Sequence, residues 1–191
     1  MDFRILRKHL NSTTVGLILL GAGVTTVVIS LSAGMVAYTG TNEFCTSCHE
    51  MRVVAEQGWM KSVHYHNPRG VVAGCGDCHI EPELLPMLRT KMRDGLTDIW
   101  VHTFLESDPL RMDWEELEKS ARSKISDSAC RRCHQNLTPK GASIKTIMAH
   151  REVARMKTPR RCVECHRTEF HGQFKIYLRD KATALADGEK K

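Results

Sequence analysis

The residues best equipped for chemistry in this chain are its cysteines and histidines, and their spacing is ordered. Cys45-Thr46-Ser47-Cys48-His49 recurs as the same C-x-x-C-H pattern from Cys75 to His79, Cys130 to His134 and Cys162 to His166. The four copies take up all eight cysteines: Cys45, Cys48, Cys75, Cys78, Cys130, Cys133, Cys162 and Cys165. In c-type haem attachment two thiols add to the porphyrin vinyl groups, and the histidine beside the second thiol reaches the iron. A zinc site built on C-x-x-C needs no histidine at that place, and a disulfide framework explains an even cysteine count but not the histidines. The pattern predicts four covalently attached haem c groups, with His49, His79, His134 and His166 as motif ligands.

The spacing also contains a repeat. Cys45 and Cys75 are 30 residues apart, Cys130 and Cys162 are 32 apart, and a histidine sits at nearly the same place inside each pair: His64 is 15 after His49, and His150 is 16 after His134. These counts predict two dihaem modules, with His64 and His150 as second axial ligands. His66 competes with His64 but lies only nine residues before Cys75, so the repeat favours His64. His171, five residues after His166, is a third distal candidate, and its counterpart in the first module, Leu84, cannot bind iron. Pseudo-symmetry assigns His171 to the haem at Cys130 and Cys133, with exchange between modules an equal alternative. On this count one haem lacks a distal histidine, and His9 and His102 are read as structural.

Elements must hold these groups. Val15 to Tyr38 is 24 residues without a charge, preceded by Arg4, Arg7 and Lys8. At about 1.5 Å per residue such a run crosses a hydrocarbon core of about 30 Å. It is too long for the apolar core of a cleaved signal peptide, and the basic flank places residues 1–14 in the cytoplasm and everything after Thr39 in the periplasm, where this haem attachment occurs. The expected protein is a single-pass inner-membrane one. Beyond the anchor, about 150 residues must enclose four porphyrins, so the haems supply much of the apolar core. The formal charge of +6 is offset by the haem propionates, and without an aromatic-interleaved basic patch it gives no reason to expect nucleic acid. Between Arg122 and Arg179 fourteen basic residues face four acidic ones, which predicts docking to an acidic redox partner.

The expected fold is mainly α with extensive loops: a transmembrane anchor at 15–38, a first dihaem module at 39–85, a helical linker at 86–127, a second module at 128–179 and a polar tail at 180–191. In the linker, Leu84, Leu88, Met92, Leu96 and Ile99 recur at helical spacing through Phe104, interrupted by Gly95; this predicts an amphipathic helix or a bent pair. Lys91 and Asp98 are two turns apart and share a face, where Lys91 can also pair with Asp94. Further helices are predicted from Trp114 to Ile125, with Asp113 as N-cap, and from Ile144 to Met156, carrying His150.

Four stretches resemble the NapC/NirT family of membrane-anchored tetrahaem quinol dehydrogenases, its NrfH-type members included: Glu43-Phe44-Cys45-Thr46-Ser47-Cys48-His49-Glu50-Met51, Ser62-Val63-His64, Asn67-Pro68-Arg69-Gly70-Val71, and His171 after the fourth motif. The resemblance covers nearly the whole chain. It implies a first haem near the membrane that takes electrons from menaquinol or ubiquinol. It makes Met51 an axial ligand of that haem, with His49 not required, and gives Lys91 and Asp98 to the quinol pocket. It further implies delivery to a periplasmic multihaem or molybdenum reductase, of the nitrite or nitrate reductase type, in an oligomer or complex. Some relatives carry a histidine just after the second motif where this chain reads Ile80-Glu81-Pro82, which moves the expectation toward the NrfH-like arrangement.

Quinol oxidation releases two protons as well as two electrons. Asp98 is the expected base, and Lys91 the group that orients the quinol oxygen. Two rivals remain at this level: electron flow in the opposite direction, into the quinone pool, and a haem enzyme that reduces a small molecule at an open iron.

Overall fold

The structure is a computed structural model and describes residues 11–105, 108–172 and 174–188. The basic flank at Arg4, Arg7 and Lys8, and His9 with it, lies outside the described residues. The chain divides into two units, Met1–Gly40 and Thr41–Lys191.

The first unit is one helix, α1 (Ser12–Tyr38), three residues longer at its start than the uncharged run. Asn11 begins it: its side-chain oxygen accepts from the Thr14 N–H at 2.7 Å, satisfying a donor that has no partner within the helix. No α1 residue is buried, and Leu17, Leu19, Leu20 and Leu31 are each more than 60 % exposed. In water that surface would carry a large hydrophobic cost, whereas lipid removes it. Its 27 residues span about 40 Å at 1.5 Å each.

The second unit contains only helices and loops among its described residues. In order these are α2 (Asn42–Cys45), α3 (His49–Gln57), a 3-10 turn (Trp59–Lys61), α4 (Cys75–His79), α5 (Leu84–Phe104), α6 (Trp114–Lys124), α7 (Asp127–Arg131), α8 (Ile144–Arg155), α9 (Cys162–Cys165) and α10 (Phe174–Gly188). The linker periodicity resolves as one helix, α5, with Gly95 inside it. Asp113 caps α6, accepting from the Glu115 and Glu116 N–H groups at 3.1 Å each. Ser143 caps α8 through the Thr146 N–H at 3.1 Å. Of the segment expected to be a polar tail, residues 180–188 belong to α10, and the rest lies outside the described residues. Phe174 and Leu178 bury on Val54, which nucleates the helix, and the following Lys-Ala-Thr-Ala-Leu-Ala run favours its continuation.

The protein core is small. Among the described residues the buried apolar ones are Val54, Ala55, Trp59, Ala129, Val163, Phe174 and Leu178, and no large side chain is fully buried. The main cluster joins α3 to α10, where Trp114 meets Phe174 edge-on at 5.2 Å. A second anchor is Trp59, whose indole N–H donates to the Ala73 carbonyl at 2.8 Å. It closes the loop that carries His64, whose carbonyl accepts from Ala73 N–H at 3.0 Å. So few buried side chains cannot hold a helical unit of this length without further apolar mass.

Candidate haem-binding site

Each C-x-x-C-H motif lies on or beside a short helix, α2 and α3 for the first and α4, α7 and α9 for the others. The spacing repeat has a structural basis. Asn42, three residues before Cys45, accepts from the Cys75 N–H through its side-chain oxygen at 2.8 Å. Asp127, three residues before Cys130, accepts from the Cys162 N–H at 3.0 Å. The start of each module's first motif thus pins the start of its second. Neither residue stood out in the sequence, although their shared offset from the first cysteine was there to be read.

None of the eight cysteines is paired in a disulfide. Cys45 and Cys75 are hydrogen-bonded neighbours; that bond lowers the Cys45 pKa to about 7 and raises that of Cys75. Cys130 and Cys162 form the corresponding bond in the second module. Cys78, raised to about 11 mainly by burial, feels Cys130 and Cys133 across the modules. The contacts run first motif to second, second to third and third to fourth, as a wire requires. Polar clamps hold the middle joint: Glu81 accepts from the Ser126 and Ser128 hydroxyls at 2.9 and 3.1 Å, and Arg132 donates to the Asp77 carbonyl.

The histidines meet in pairs. His64 faces His134 with ring centres 6.1 Å apart, His171 faces His79 at 6.0 Å, and His150 faces His166 at 6.1 Å. Two imidazoles sharing one metal through opposite nitrogens, each about 2 Å from it, have ring centres about 6 Å apart. Burial lowers the His79 pKa and takes that of His171 down to about 4, so both rings are neutral and carry a lone pair at pH 7. The buried Nδ1 atoms of His150 and His171 have no hydrogen-bond partner, as rings held for another purpose do. The residues therefore fit covalent haem. His171 is positioned by a close backbone approach: a Cβ at Gly58 would lie 2.5 Å from the His171 carbonyl oxygen, and Gly172 beside it has φ +53°.

The pairing differs from the pseudo-symmetric assignment. His171 stands beside His79 of the first module, and the ring beside His134 is His64, so two of three pairs cross between modules. The rings thus stand in the exchanged arrangement, where Glu81 and Arg132 hold the second and third motifs together. His66 contacts Tyr65 at 4.9 Å instead.

Around the first motif, α5 brings Lys91 and Asp98 to one place, since both act electrostatically on the Cys45 thiol. Desolvation lowers the Lys91 pKa. Asp98 lies at the surface, yet desolvation by neighbouring groups raises its carboxyl pKa, with Asp94 and Glu50 adding to the rise and Lys124 opposing it. Asp94 is held by Arg93 at 2.8 Å and Lys124 at 3.2 Å. Met51 is on α3 and 43 % exposed.

The family model described as NapC/NirT cytochrome c family, N-terminal region, matches residues 7–175. The cytochrome c-type protein NapC of Escherichia coli strain K12 is 31 % identical over 136 residues, 69 % of this chain and 68 % of that protein. TorC of the same strain is 31 % identical over 167 residues, 83 % of this chain but 42 % of TorC. A probable tetraheme cytochrome c-type protein of Nitrosomonas europaea is 29 % identical over 191 residues, 95 % of this chain and 78 % of that protein. Among solved structures, a chain of the cytochrome c nitrite reductase NrfHA complex bound to the HQNO inhibitor is similar with a TM-score of 0.51 and 27 % identity, over 82 % of this chain and 91 % of that one. Motifs, helical fold, apolar anchor helix and relatives agree: this chain is a membrane-anchored multihaem c-type cytochrome of respiratory electron transfer and belongs to the NapC/NirT family.

Proposed function

We propose that the protein oxidises membrane quinol and passes the electrons to a periplasmic reductase. The convergence of Lys91 and Asp98 on Cys45 carries this, because it puts a cation and a carboxylate beside the attachment site of the haem nearest the anchor in sequence. A carboxylate whose pKa is raised is a suitable acceptor for a quinol proton near neutral pH, and the Lys91 ammonium stabilises charge developing on the quinol oxygen. When attached, the haems take up electrons singly and relay them. The chain's own residues bind the quinol, orient it and remove its protons.

The exit is the second module. Arg131, Arg160 and Arg167 are exposed there, in a segment of strong basic excess, which suits an acidic partner and a contact that weakens with salt. The similarity to a chain of the NrfHA complex supports a nitrite-reductase-type partner, with the haem unit in the periplasm. The test uses full-length haem-loaded protein in liposomes under anaerobic conditions. Added menaquinol reduces the haems, HQNO slows that step, and a periplasmic reductase with nitrite reoxidises them. Haems that stay oxidised with quinol but accept electrons from a reduced periplasmic donor would reverse the assigned direction.

A further inference from the structure

We propose that His102 is an axial ligand of the first haem, across the iron from His49. Three motif histidines set the standard, each facing a second histidine at 6.0 to 6.1 Å with ring tilts of 14° to 72°. The fourth, His49, also faces a histidine: His102, at 5.6 Å with a tilt of 59°. His102 is on α5 one turn beyond Asp98 and on the same face. A ring nitrogen of His102, Cys48 Sγ and a Glu50 carboxylate oxygen lie within 4.8 Å of one another, so the ring stands at the attachment cysteine of that haem.

Glu50 supplies the second observation. Its side chain is only 9 % exposed, and one carboxylate oxygen is hydrogen-bonded to His102 Nδ1 at 2.8 Å, while the other, 3.3 Å from His49 Nδ1, is buried and makes no hydrogen bond. A carboxylate on Nδ1 fixes the tautomer and leaves Nε2 for a metal, the usual support of a ligating histidine. His64 is held in the same way, with Nδ1 3.1 Å from the Glu169 carbonyl oxygen. Met51 is two residues past His49 on the same helix, about 200° around it at 3.6 residues per turn. The inference replaces the expectation that one haem lacks a second histidine. It leaves the quinol assignment standing, because electrons cross to a porphyrin edge without a vacant iron position.

The test reads ligation directly, by electron paramagnetic resonance and near-infrared magnetic circular dichroism of the full-length ferric protein with four haems verified by mass. The expected wild type has four low-spin bis-histidine haems. His102→Ala converts one of the four to high spin, added imidazole restores it, and His66→Ala and Met51→Leu change nothing. A high-spin or methionine-ligated haem in the wild type overturns the proposal, and that measurement stands even if His102→Ala fails to retain haem. So does a His102→Ala protein that keeps four bis-histidine haems. Quinol oxidation is measured separately, so a wrong ligand leaves the quinol result intact and a wrong quinol site leaves these spectra intact.

Discussion

Replacing Asp98 with Asn keeps the side-chain volume and removes the proposed proton acceptor. Loss of a positioned general base costs about 10²–10⁴ in rate. Asp98 lies at the surface, where water can take over part of its role, so the low end applies: about 100-fold, or about 2.7 kcal/mol in the barrier. The expected pH profile follows from the direction of its shift. Because desolvation raises its pKa, with Asp94 adding to the rise, the wild-type rate falls as pH drops through that raised value and levels off above it. Asp94→Asn moves the fall to lower pH, and Asp98→Asn abolishes it. The assay is anaerobic stopped-flow, following the ferrous haem absorbance after mixing with a soluble menaquinol analogue, at matched haem content and unchanged oxidised spectrum. An Asp98→Asn protein with wild-type rate and an unaltered pH profile would refute the role.

Lys91→Met should weaken quinol binding about fivefold, seen as a raised KM with a smaller change in kcat, since one partly exposed charge-assisted hydrogen bond is worth about 1 kcal/mol. The crossed ring pairs predict that His64→Ala turns the third haem high-spin and His171→Ala the second, which potentiometry resolved by haem can distinguish. Asn42→Ala and Asp127→Ala each remove one hydrogen bond, worth about 1 kcal/mol, at the start of a following motif. Each should lower the thermal midpoint by a few degrees, with loss of haem from the second or fourth motif by mass. Raising the salt from low to moderate ionic strength should slow electron delivery to the reductase and leave haem reduction by quinol unchanged.

Haem attachment was legible because the covalent chemistry demands a fixed local string, and a string is what a sequence displays. The spans of α5, α6 and α8 were legible for a similar reason: hydrophobic period and capping residues such as Asp113 act within a few residues of chain. Partnership between histidines is different. It depends on which motifs lie face to face, and in this protein Arg132, Glu81 and the neighbouring thiols of Cys78 and Cys130 set that arrangement. Counting along the chain could pair His150 with its module, but it could not send His64 to the third motif or His171 to the second. His102, off the repeat and inside a linker, stands 5.6 Å from His49, a neighbourhood that spacing along the chain does not display. The sequence by itself determined that four haems attach, that one apolar helix anchors them and which short segments are helical. Tertiary structure alone decided which imidazoles stand face to face, because that choice is made by contacts between residues as far apart as His64 and His134, and no local rule encodes those.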